Sequence, residues 1–87
     1  MVKDLIVGLV GWESMKNFDK AKVYTVLDAH KLHIGDEVIV ANTMYDLRKN
    51  VSMGKPKKLR FADEQGFRIN GWSDLFQYAY LVRGVEE

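Results

Sequence analysis

One stretch constrains the fold more than any other: Lys22 to Thr43, KVYTVLDAHKLHIGDEVIVANT. Two runs dense in β-branched and aromatic residues, Val23-Tyr24-Thr25-Val26 and Val38-Ile39-Val40, flank a polar connection ending in Gly35-Asp36. Such runs suit a pleated surface. Gly35 takes a positive φ at no steric cost, and the Asp36 carboxylate accepts from nearby backbone N–H groups, so the pair marks the entry into a strand. The spacing predicts strands over Lys22–Leu27 and Glu37–Ala41. Val38 and Val40 then share one face of the second strand, and Ile39 and Ala41 the other. Between them, Asp28 to His33 is a connection anchored to the core by Leu32 and Ile34.

The remaining segments extend this β pattern. Residues 4–10 (DLIVGLV) carry apolar side chains on both faces, as a buried strand does, with Gly8 permitting a bend. This run is too short to span a bilayer, and its flanks are poor for a cleaved signal, so no membrane segment is expected. Gly11 to Lys20 reads as a loop from which Trp12 and Phe18 fold back. Asn42 to Asn50 is a polar excursion. Val51 to Met53 begins a strand that resumes at Lys57, because Pro56 cannot donate to a ladder. In Lys57–Phe61, Leu59 and Phe61 face one way and Lys58 and Arg60 the other, which argues for one wet face. Asn70-Gly71 is a strong turn signal. Beyond it, Ser73 caps at most a short helix near residues 73–77, followed by a strand from Tyr78 to Arg83; a single helix over 74–82 is the alternative.

With 87 residues, the chain forms one domain over 1–87. Its hydrophobic fraction of 47% excludes a disordered chain. There is no cysteine, which excludes disulfides, Cys-ligated zinc and thiol catalysis, and suits a reducing cytoplasm. Five or six short strands in so short a chain favour a small barrel, since closure removes exposed edges.

The order of the pieces resembles known segments. A Lys22-Val23-Tyr24 strand is followed by Leu32-His33-Ile34-Gly35-Asp36-Glu37-Val38-Ile39-Val40, and then by Val51-Ser52-Met53-Gly54-Lys55. Over residues 22–55 this is similar to SH3-like β-barrel segments of uncharacterised phage proteins, of polymerase-suppressor-type domains and of the N-terminal DNA-end-binding domain of the primosomal helicase. The chain departs from them in the Lys-Pro-Lys-Lys sequence after Gly54. The resemblance implies a mainly β, SH3-like barrel and a phage-type accessory or inhibitor protein. It assigns no functional residue.

The residues themselves offer two surfaces. Net charge is +1, so bulk charge steers nothing. Arg48, Lys49, Lys55, Lys57, Lys58 and Arg60, however, fall in one stretch with no acid between them. Several cations facing a phosphate backbone together, with Tyr45 nearby as a stacking surface, are what a nucleic-acid binder needs. The same lysines and Pro56 also protect an edge strand from aggregation, and this plainer reading carries more weight. The second surface is aromatic. Trp72 sits in a turn and is expected to be partly exposed, where with Phe76 it would anchor a protein interface or cap the open end of a barrel.

No catalytic constellation is present. His30 and His33 lack further ligands to complete a metal shell. No nucleophile elbow occurs. Gly8, Gly11 and Gly35 lack phosphate-loop spacing, and Pro56 removes a donor after Gly54-Lys55. The sequence therefore points to a cytoplasmic, non-enzymatic binding module without metal or cofactor. It would act on a host or phage protein or on a second copy of itself. Nucleic-acid binding through the basic stretch 48–60 is the alternative.

Overall fold

In the computed structural model, which describes residues 18–85, the strand Glu37–Ala41 (β2) forms the axis. It is buried on both faces, as its unbroken apolar run requires. Val38 and Val40 join Ala29, Leu32, Leu59, Phe67, Ile69 and Ala79 in one core. Ile39 and Ala41 join Leu47 and Tyr80 in a second. The strands are β1 (Val23–Thr25), β2, β3 (Lys57–Asp63), β4 (Gly66–Ile69) and β5 (Tyr78–Arg83). They form one antiparallel sheet in the order β1-β5-β2-β3-β4.

β5 lies between β1 and β2, with Ile39 opposite Tyr80 and Val40 opposite Ala79. Residues 78–83 are therefore strand, and the alternative of a helix over 74–82 falls. β3 divides its pairing. Its first residues, Lys57 and Lys58, pair with β2, and the remainder pairs with β4 across a register shift between Leu59 and Phe61. The sheet is not closed, and β1 and β4 are its outer strands. One isolated bridge links β4 to the approach of β5: Phe67 and Phe76 exchange two backbone hydrogen bonds of 2.8 Å each.

That bridge corrects the short helix expected near 73–77. The Phe76 N–H and C=O that a helical turn would use are engaged by Phe67. The approach is close: a Cβ on Gly66 (φ +147°) would meet both the Leu75 Cβ and the Phe76 carbonyl oxygen at 2.9 Å. Ser73 to Leu75 instead form a bend, and Gln77 N–H donates to Asn42 Oδ1 at 3.2 Å.

The described residues contain one α-helix, and it lies where a polar excursion and the start of a strand were expected: α1, Met44–Met53. Thr43 caps it, its hydroxyl accepting from Asp46 N–H at 3.1 Å. Asp46 in the first turn complements the helix dipole. Gly54, left-handed at φ 66°, ends the helix by donating to Asn50 and Val51 carbonyls. Met44, Leu47 and Val51 recur at helical spacing and pack α1 onto the second core. Val51–Met53 therefore belongs to a helix and not to a strand.

Two smaller corrections concern the first strand and its connection. The strand spans only Val23–Thr25, because Thr25 caps a 3₁₀ segment over Val26–Lys31 by accepting from Leu27 N–H at 3.3 Å. Leu32 is buried as expected, but Ile34 is 58% exposed and anchors nothing. The predicted strand over 4–10, with Gly8, Gly11 and Trp12, lies outside the described residues. Among those described, no helix is long and apolar enough to cross a membrane.

Gly35-Asp36 does more than start β2. Gly35, at φ 99°, donates to the Leu59 carbonyl at 2.8 Å, and Leu59 N–H donates back to the Asp36 carbonyl at 2.8 Å. The Asp36 side chain is buried, with 2% exposed. Its Oδ2 accepts from His33 N–H at 2.8 Å and its Oδ1 from Val85 N–H at 2.9 Å. One carboxylate thus joins the turn before β2 to the chain just past β5.

Candidate binding groove

The β2–β3 ladder ends at Val38 opposite Lys57, so Ile39 to Ala41 have no strand neighbour on that side. Asn50, in the last turns of α1, fills part of the gap: its Nδ2 donates to the Val40 carbonyl at 3.2 Å. Gly54 then turns the chain out of the helix and Pro56 precedes β3. The segment after β4 returns from the other side, held by the Phe67–Phe76 bridge and by Asn70 N–H donating to the Lys58 carbonyl at 2.9 Å.

These elements enclose a groove of about 340 Å³. Val38, Val40 and Ile69 supply its buried side. Met53 and Trp72, 56% and 54% exposed, rise beside it. Trp72 meets Phe76 edge to face, with ring centroids 6.4 Å apart. Lys55 and Lys57 bring the only formal charges to this lining. A second depression of about 280 Å³ shares Val40, Asn50, Met53 and Phe76 and adds Asp46 and Lys49 along the helix.

The candidates named from sequence are divided by this geometry. Trp72, Phe76, Lys55 and Lys57 come together on one groove, with Lys49 on its continuation. Arg48 lies instead over the Phe18 ring, 5.2 Å from its centroid. Lys58 lines a different depression with Gly35, Glu37 and Arg83. Arg60 is exposed on β3, and Tyr45 is 77% exposed on α1 but lines neither part of the groove. The basic stretch is therefore not one continuous face.

Met53 and Asn50 belong to the groove and were missed. Their only sign in the sequence is a helical spacing of Met44, Leu47 and Val51 that polar neighbours dilute. His30 and His33 are both exposed, and no three metal-ligating side chains cluster among the described residues.

No protein-family model, curated protein or solved structure matches the chain. What the groove can do follows from its lining. An apolar side chain entering it is desolvated against Val38, Val40 and Ile69, which is the main source of affinity at such sites. Met53 is unbranched and polarizable and adapts to the shape of an occupant. The ion pairs found among the described residues are Lys31–Asp28 and Arg83–Glu37, at 3.5 and 3.4 Å, and neither involves a groove lysine.

Proposed function

We propose that this protein is a small non-enzymatic binding module that docks another protein through the groove between α1 and the segment following β4. The observation that carries the proposal is the half-exposed Trp72 standing beside Met53 over an apolar floor. A large aromatic at the rim of a desolvated pocket is the usual anchor of a protein interface. The main lining holds no histidine, serine, cysteine or carboxylate, and so lacks a nucleophile paired with a base. A phage-type accessory or inhibitor role acting on a host factor in a cytoplasmic setting accords with the resemblance over residues 22–55. An SH3-like barrel is part of the same reading, supported by the Phe67–Phe76 bridge that brings β4 to the approach of β5.

The test is affinity capture from the native host with the wild-type protein and Trp72→Ala in parallel. The expected result is a partner retained by the first and lost by the second, while both show the same urea midpoint. An identical set of captured proteins removes the groove as the docking site. Light scattering on the purified protein identifies the case in which the partner is a second copy.

Nucleic-acid binding is a second reading, favoured by Lys55 and Lys57 lying beside an exposed tryptophan. It requires binding to single-stranded oligonucleotides that weakens steeply with salt. Absence of binding at low ionic strength ends it.

A further inference from the structure

We infer that the occupant of the groove is an extended acidic protein segment that inserts one aromatic or aliphatic side chain beside Trp72 and presents carboxylates to Lys55 and Lys57. The inference rests on the groove being the docking site and adds the chemistry of its partner.

Charge is the first argument. The main lining carries two lysines and no acid, and its continuation adds Lys49 against a single Asp46. The chain as a whole is nearly neutral at +1, so this excess is local. Among the described residues, neither ion pair engages any of these three ammonium groups. A carboxylate arriving at the rim therefore displaces no ion pair among the described residues. Its attraction steers the encounter and fixes the register.

Shape is the second. The open edge of β2 looks at first like a template for adding a strand. Asn50 blocks this, because its carboxamide already donates to the Val40 carbonyl that an added strand would use. Recognition therefore falls to side chains. A volume of about 340 Å³ is at the lower end for binding clefts and suits one large side chain with its neighbours. Lys55 and Lys57 flank Pro56, and an extended chain places residues two apart about 6.6 Å from each other. An extended partner matches that spacing with acids at alternate positions.

The arginines and aromatics decide against nucleic acid. Arg48 lies over Phe18, Arg68 over Phe61 at 5.4 Å, and Arg83 pairs with Glu37. Three of the four arginines are thus engaged away from the groove. Stacking along a strand of bases needs successive exposed rings, and Tyr45 does not line the groove that holds Trp72.

The experiment uses the full chain as bait against a displayed library of random extended segments. The best segments are then synthesised, and their binding is measured by fluorescence polarisation beside a labelled oligothymidine. The enriched segments are expected to share two acids at alternate positions near one aromatic or aliphatic residue. Their affinity should fall about tenfold or more in Lys55→Glu/Lys57→Glu and in Trp72→Ala, and should weaken with added salt. Both variants are read against the urea midpoint, which they should leave unchanged. Segments that need Trp72 but lack acids overturn the acidic assignment and leave the groove as a docking site. Failure to enrich any segment, or enrichment indifferent to both variants, overturns the inference; the second outcome also counts against the groove itself. Tighter binding of oligothymidine, lost in the same variants, gives the groove to nucleic acid and overturns it as well.

Discussion

Replacing Asp36 by alanine tests whether one buried carboxylate holds the two ends of the frame together. The substitution removes two acceptors, which serve His33 N–H at 2.8 Å and Val85 N–H at 2.9 Å. A hydrogen bond to a charged group contributes about 1.5–3 kcal/mol net, so two give about 3–6 kcal/mol. Val85 is 52% exposed and water reaches its amide once the carboxylate is gone, so its share is the smaller. The expected loss is about 3 kcal/mol. With a urea m-value of about 1–1.5 kcal/mol/M for a domain of this size, the midpoint falls by about 2–3 M at constant m. Asp36→Asn separates the two contacts, because it keeps one acceptor and turns an NH₂ toward the other amide. It should fall between wild type and alanine. Amide exchange at Val85 should quicken in both variants. A loss below about 0.5 kcal/mol for Asp36→Ala, or an asparagine variant as stable as wild type, would refute the role assigned to the carboxylate.

Two further substitutions probe the elements that build the groove. Thr43→Ala deletes the cap of α1 and should cost about 1 kcal/mol, read as a fall of about 4–8 °C in the thermal midpoint. Gly66→Ala forces a Cβ to within 2.9 Å of the Phe76 carbonyl oxygen at a φ of +147°. It should cost about 2–4 kcal/mol and selectively speed amide exchange at Phe67 and Phe76, whereas uniform acceleration across β2 would contradict the local assignment.

Sequence and structure agree best where one local force dominates. β2 was legible at its observed bounds because three consecutive β-branched residues, Val38 to Val40, follow a Gly-Asp turn and, with Ala41, serve two cores. The alternation in Lys57–Phe61 was legible only as far as Arg60: Leu59 is buried and Lys58 and Arg60 are exposed, but the register shift after Leu59 sets Phe61 opposite Arg68, whose guanidinium covers its ring, and Ala62 packs on the core where Phe61 was expected. α1 was hidden because Met44, Leu47 and Val51 are diluted by polar neighbours. Its cap also uses Asp46 where a Glu or Gln would have been the stronger sign. The exposure of Trp72 could be read from the Asn70-Gly71 turn. The meeting of Trp72 with Lys55 and Lys57 could not. It depends on Val38 pairing with Lys57 and on Phe67 pairing with Phe76, and neither contact leaves a mark on the residues near it in the chain.

The Phe67–Phe76 bridge has a bearing on how tightly the groove can hold a partner. It pins both ends of the short segment that presents Trp72, and the Trp72 N–H donates within it to the Ile69 carbonyl at 3.2 Å. The indole is therefore preorganised: most of the entropy of ordering its backbone is lost during folding, and little is left to lose at association. Affinity should then track the stability of this tether. A change at Gly66, which lines neither part of the groove, would lower occupancy by shifting the backbone that holds Phe76 and Trp72, without removing a lining side chain.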